Sequence, residues 1–212
     1  MDEGHDASPP LPPQSLAGRY ETRVSIFERL KSVRAHDREM AWSDFHARYA
    51  PAIAGFARRC GASAQDIDDI VQDVMAAFCS VSGEFAYDPA KGRFRSWLKT
   101  CTVRAAVRRA GKNLRFRGVP LEEVPQLELA VEPVWADVWE QQLVSLALDQ
   151  LRMNSNGSLA FRAFEQYVLV DRPADVIARE LGTSIDNVHQ AKSRMTKQLR
   201  ELVAQLQDEE GQ

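Results

Sequence analysis

Long apolar runs are missing from this chain of 212 residues, although 44% of its residues are hydrophobic. No run is long enough to span a bilayer, so no membrane insertion is expected. The opening MDEGHDASPPLPPQ has no basic start and no apolar core, which argues against a secretory leader and gives a cytoplasmic address by default. Cysteine is scarce: Cys60, Cys79 and Cys101 stand far apart with no CxxC pair. That pattern suits reduced thiols in helix cores, not disulfides or zinc. A Gly-rich phosphate loop, HExxH and a nucleophile elbow are absent too. No catalytic residue, metal ligand or cofactor is therefore expected, and the chain does not read as an enzyme.

Charge of one sign is missing in two places. Between Arg59 and Lys91 there is no Lys or Arg, and this stretch holds DIDDIVQDV with Asp66, Asp68, Asp69 and Asp73. From Lys91 to Arg117 there are ten Lys or Arg residues and no Asp or Glu. The formal net charge of −3 conceals this segregation. Opposite charges kept apart along a chain point to separate surfaces for separate partners.

Alternating strand patterns and internal repeats are also lacking, and an all-α fold is expected. Residues 1–18 are Pro-rich and should be disordered. Phe27 and Leu30 seed one helix, and Met40, Trp42, Phe45, Tyr49, Ile53 and Phe56 line a second that Pro51 should bend or break. Ser63 and Asp66 have the spacing of a capping box that opens a third. GEFAYDPAKG (83–92) reads as a loop, and a fourth helix follows to about Ala110. Residues 118–134, GVPLEEVPQLELAVEPV, carry three prolines and four glutamates and read as an extended acidic linker. Helices at about 135–152, 159–170, 173–181 and 185–207 come next, then an acidic tail at 208–212. The expected architecture is two small helical domains, 19–117 and 135–207, joined by the 118–134 linker.

The stretch RPADVIARELGTSIDNVHQAKSRMTKQLREL has the spacing of a helix-turn-helix. Pro173 suits a first turn, Ala178 permits a close helix crossing, Gly182 suits a turn with positive φ, and Thr183 and Ser184 can cap the next helix. Val188, Ala191, Met195, Leu199, Leu202 and Leu206 form one apolar stripe there. Asp186, His189, Gln190, Ser193, Arg194 and Lys197 occupy the opposite arc, with side chains of the kinds that reach bases and phosphates from the major groove. In the basic segment, Phe94, Trp97, Leu98, Cys101 and Ala105 share one arc flanked by Arg93, Arg95, Lys99 and Arg104. Cations there would neutralise phosphates and exposed aromatics would stack on unpaired bases. For Trp97 the core reading is favoured.

These three features, in this order, resemble a bacterial RNA polymerase sigma factor of the sigma-70 family, extracytoplasmic-function (ECF) group. DIDDIVQDVMAAF is similar to the region 2 helix that docks on the clamp helices of the largest polymerase subunit. FAYDPAKGRFRSWLKTCTVRAA is similar to the loop and helix that open and read the minus-ten element. The helix-turn-helix is similar to region 4, which reads the minus-thirty-five element. The resemblance implies core-polymerase binding by Asp68, Asp69, Gln72 and Asp73. It implies minus-ten contacts by Arg93, Phe94, Arg95, Trp97, Lys99, Arg104 and Arg108. It implies minus-thirty-five contacts by Ser184, Asp186, Asn187, His189, Gln190, Lys192, Ser193, Arg194 and Lys197. Expected partners are core RNA polymerase and promoter DNA, with an anti-sigma factor left open. Where the family commonly has Arg-Asn this chain has Val103-Arg104, and Arg108 replaces a common Asp.

Two rivals belong to other classes. Asp68, Asp69 and Asp73 loosely resemble the magnesium-binding helix of prenyl-diphosphate enzymes, but no second acidic cluster stands on a comparable helix to complete a cage. A stand-alone helix-turn-helix regulator would use the C-terminal half alone and leave the acidic and basic helices without a role.

Overall fold

The computed structural model describes residues 23–82, 94–109 and 124–211. Expectations for the N-terminal 18 residues, the 83–92 loop, Arg93 and the start of the linker lie outside them. Among the described residues the chain forms nine α-helices and no strand. In order they are α1 (Arg23–Leu30), α2 (Ala35–Arg59), α3 (Ala64–Ser82), α4 (Phe94–Arg108), α5 (Val124–Ala130), α6 (Glu132–Asn154), α7 (Leu159–Phe164), α8 (Ala174–Leu181) and α9 (Ile185–Gly211). A π turn at Glu165–Leu169 extends α7. The all-α reading is borne out.

The main core is aromatic. Phe45 and Phe78 stack at 4.1 Å, and Phe27 and Phe94 close on them from α1 and α4, all four almost fully buried. Ring pairs of this kind add to what area burial alone contributes. The Ser63–Asp66 capping box forms at the start of α3: Asp66 N–H donates to Ser63 Oγ at 3.2 Å and Ser63 N–H to Asp66 at 3.3 Å. Two N–H groups at the helix start are thereby satisfied.

Three expectations change. Helix α2 runs unbroken through Pro51, because Tyr49, Ala50, Ala52, Ile53 and Phe56 around it are buried. Burial of that stripe outweighs the backbone hydrogen bond a proline removes. Residues Val124–Ala130 are helical where extended chain was expected. Leu127 packs on the core, and Val131 N–H donates to Leu127 O at 3.0 Å, carrying the helical path towards α6. The segment after Leu206 is not a loose tail either: α9 continues to Gly211, and Glu209 pairs with buried Arg48 at 3.4 Å.

Helix α6 joins the two halves. Its Trp135, Val138, Trp139, Leu143 and Leu146 enter the same core as α1–α4, and Leu206 of α9 reaches that core as well. Gly55 permits the approach of α2 and α6, since a Cβ there would meet Val138 Cγ1 at 3.3 Å. A smaller cluster of Ala163, Ile177, Ala178, Val188 and Ala191 holds the helix-turn-helix together.

The turn of that unit is set by local chemistry. Gly182 has φ +63°, Thr183 N–H donates back to Ala178 O at 2.9 Å, and Ser184 Oγ accepts from Asn187 N–H at 3.1 Å. A Cβ at Gly182 would meet nothing within 4 Å, so a side chain there meets only backbone strain. Gly182→Val should therefore destabilise the protein by about 1–2 kcal/mol, and Gly182→Asn by less, because Asn tolerates the left-handed region. Urea midpoints check this; equal stability of wild type and the valine variant would refute it.

Candidate nucleic-acid interface

Helix α9 presents the expected polar face. Ser184, Asp186, Asn187, His189, Gln190, Lys192, Ser193, Arg194 and Lys197 are all exposed. Beneath them Val188, Ala191 and Met195 are buried, with Leu199 and Leu202 half-buried, so the apolar stripe seats the helix and leaves the polar arc free. Asn187 does double duty, donating from Nδ2 to Thr183 Oγ1 at 3.0 Å.

Sequence reasoning missed Tyr167. Its ring, in the π turn, lies 5.5 Å from the His189 ring and 5.3 Å from Lys192 Nζ. Both neighbours stand on the exposed arc of α9, so Tyr167 forms a shelf that restricts their side chains. Nothing in the local sequence pairs residues 167 and 189, because the contact depends on how α7 and α9 pack.

Helix α4 divides its residues differently from the expectation. Phe94 is 1% exposed and sits among Phe27, Phe45, Phe78 and Tyr49, so it cannot stack on a base in this fold. Its place on the DNA-contact list is corrected: it is core. Trp97 is half-buried, stacked on Phe94 at 5.6 Å and edge-on to Phe78 at 5.6 Å, as the core reading favoured. Arg104 and Arg108 are exposed. Arg95 and Lys99 are not free: Glu132, at the start of α6, accepts from Arg95 Nη2 at 2.8 Å with one carboxylate oxygen and from Lys99 Nζ at 2.5 Å with the other. One turn earlier, Glu128 accepts from Thr100 Oγ1 at 2.9 Å. Partial burial would raise the Glu132 carboxyl, but the hydrogen bonds from Lys99 and Arg95 outweigh it and hold it below the usual glutamate range.

On α3, Asp68 and Gln72 are exposed, whereas Asp69 and Asp73 are partly covered. Both latter carboxylates hold Arg109, at 2.6 Å from Asp69 and 2.8 Å from Asp73. The one-turn spacing of Asp69 and Asp73 lets a single guanidinium just beyond α4 bridge them. That hydrogen bond lowers the Asp73 carboxyl below its ordinary range, against a smaller rise from desolvation. The stabilisation it gives is fully present above the ordinary aspartate value and is lost as pH falls through the lowered folded value. Among the described residues no cluster of three or more His, Cys, Asp or Glu could hold a metal ion, and no helix is long and apolar enough to cross a membrane.

The profile described as Sigma-70 region 2 matches residues 45–116, from the middle of α2 past α4. That stretch is similar to the sigma-70 family. The sigma-70 match covers both the acidic helix α3 and the basic helix α4, while the helix-turn-helix lies beyond it. A curated relative, "ECF RNA polymerase sigma factor RpoE" of Cereibacter sphaeroides, is 27% identical over 118 residues, which is 53% of this chain and 59% of that protein. The alignment thus spans little more than half of that relative. No solved structure matches the chain.

Proposed function

We propose that this chain is an ECF-type RNA polymerase sigma factor: it binds core polymerase, recognises and melts promoter DNA, and directs initiation. The carrying observation is the region 2 match on residues 45–116, followed by a helix-turn-helix whose polar face is open. In this reading residues 19–117 form the region 2 unit and 135–207 the region 4 unit. Helix α3 docks on polymerase through Asp68 and Gln72, with Asp69 and Asp73. Helix α4 meets the minus-ten element through Arg95, Lys99, Arg104 and Arg108. Helix α9 reads the minus-thirty-five element in the major groove, with His189, Gln190, Arg194 and Lys197 at its centre.

The chemistry required is binding and base extrusion. Unstacking a base costs a few kcal/mol, which contacts to the displaced strand must return. Polymerase fixes the spacing of the two DNA-reading helices, so each acts at high effective concentration once the other has bound. Neither needs to bind tightly alone.

Reconstitution with bacterial core polymerase tests the reading. The full chain should co-migrate with core and yield discrete run-off transcripts from fragments selected out of a genomic library. Tight binding to a duplex operator without polymerase, together with no transcript in its presence, would instead identify a stand-alone regulator.

A further inference from the structure

Two of the four cations that the proposed function assigns to the minus-ten strand, Arg95 and Lys99, are already occupied from within the chain. Arg95 and Lys99 stand one helical turn apart on α4. Glu128 and Glu132 stand one turn apart on the α5–α6 path, and they engage Thr100 and the Arg95–Lys99 pair respectively. Two carboxylates spaced along a helix thus lie against a row of donors as consecutive phosphates would. We infer that the α5–α6 junction is a built-in competitor of DNA, which covers the Arg95–Lys99 part of the minus-ten surface of α4 until a nucleic-acid strand displaces Glu128 and Glu132.

The attachment of the two helices suits such a role. Helix α6 is anchored by Trp135, Val138 and Trp139, whereas α5 has seven residues, with Leu127 only partly buried and Leu129 77% exposed. Glu132 occupies the first turn of α6, above the anchor, so its side chain can swing away while Trp135 stays in place. An isolated helix as short as α5 has little stability of its own once its side-chain contacts are lost. The competitor is therefore local: releasing the surface requires a peeled turn, not separation of the two halves. An ion pair that merely supports the fold would have the same distances, so the test must read competition.

This inference rests on the proposed function, and its test separates the two. Binding of a fluorescein-labelled, mixed-sequence single-stranded oligonucleotide is measured by anisotropy over a range of salt for full-length wild type, Glu132→Gln and Glu140→Gln. Glu140 is exposed on the same helix, so its variant changes net charge equally without touching α4. Glu132→Gln should bind about tenfold tighter at 0.1 M salt, with a log–log salt slope steeper by about 1.4, the value for two freed cations on a single strand. Glu140→Gln should match wild type.

Equal affinity and slope for Glu132→Gln and wild type would overturn the competition. If Arg95→Ala with Lys99→Ala removes binding from both, the minus-ten assignment survives that failure. If the double substitution removes binding from neither, the assignment itself fails. Zero-length carbodiimide cross-linking of the wild type decides the matter should Glu132→Gln not fold. The Lys99–Glu132 amide should form in the free protein and be suppressed by saturating oligonucleotide; an undiminished yield would refute competition.

Discussion

Trp135→Ala is expected to lower the stability of the protein by about 3–5 kcal/mol, the range for removing a buried large aromatic. Trp135 is 0% exposed, meets Phe56 of α2 edge-on at 5.5 Å and stacks on Trp139 at 5.9 Å. Trp139 in turn stacks on Tyr49, so one side chain begins an aromatic path from α6 into the core of α1–α4. Domains of this size are commonly stable by only about 5–15 kcal/mol, so the loss would be a large fraction of the whole. It would also act where the halves join. Urea unfolding of the wild type should give one transition and that of the alanine variant two, as α7–α9 lose their hold on α2. Trp135→Phe should cost much less: the indole N–H has no hydrogen-bond partner among the described residues, so phenylalanine forfeits volume but no bond. A loss below about 1 kcal/mol for the alanine variant would mean that α6 does not couple the two halves.

What the sequence disclosed was the part governed by near neighbours. The Ser63–Asp66 box, the left-handed Gly182, the Ser184 cap and the stripe from Val188 to Leu206 each depend on residues within a turn or two, and their spacing survives in one dimension. The segregation of charge was equally legible, and with it the resemblance that the match on residues 45–116 supports. Which charges would be spent internally was not. Glu132 meets Arg95 and Lys99 across 37 and 33 residues, and Arg109 meets Asp69 and Asp73 across 40 and 36. Those pairings follow from how α3, α4 and α6 cross, and composition cannot report a crossing. Phe94 failed for a related reason: the arc it shares with Trp97 was identified, but not the depth to which each is buried. Helix α5 was misread because Pro and Glu content suggests extended chain, while Leu127 and the Glu128–Thr100 bond fold it onto α4.

Asp68→Lys should weaken binding to core polymerase at least about tenfold, since reversing a charge at a protein interface typically costs about 2 kcal/mol or more. Its thermal stability should stay within about 0.5 kcal/mol of wild type, as for surface substitutions elsewhere, because the Asp68 carboxylate is exposed. Asp73→Lys cannot give so clean an answer. It removes the carboxylate that holds Arg109 and sets an ammonium against that guanidinium, so the fold and the docking surface are damaged together. The charge-swapped pair Asp73→Lys with Arg109→Asp separates the two effects. It rebuilds an ion pair in the opposite sense, so it should recover the melting temperature lost by Asp73→Lys. It should not recover core binding, because a basic partner surface would now face a lysine. Native gel shifts with core polymerase, run beside thermal melts, read both quantities for every variant. Normal core binding by Asp68→Lys would remove the docking role from the exposed edge of α3. Recovery of core binding by the swapped pair would show that α3 contributes only a folded scaffold, and that polymerase is held elsewhere.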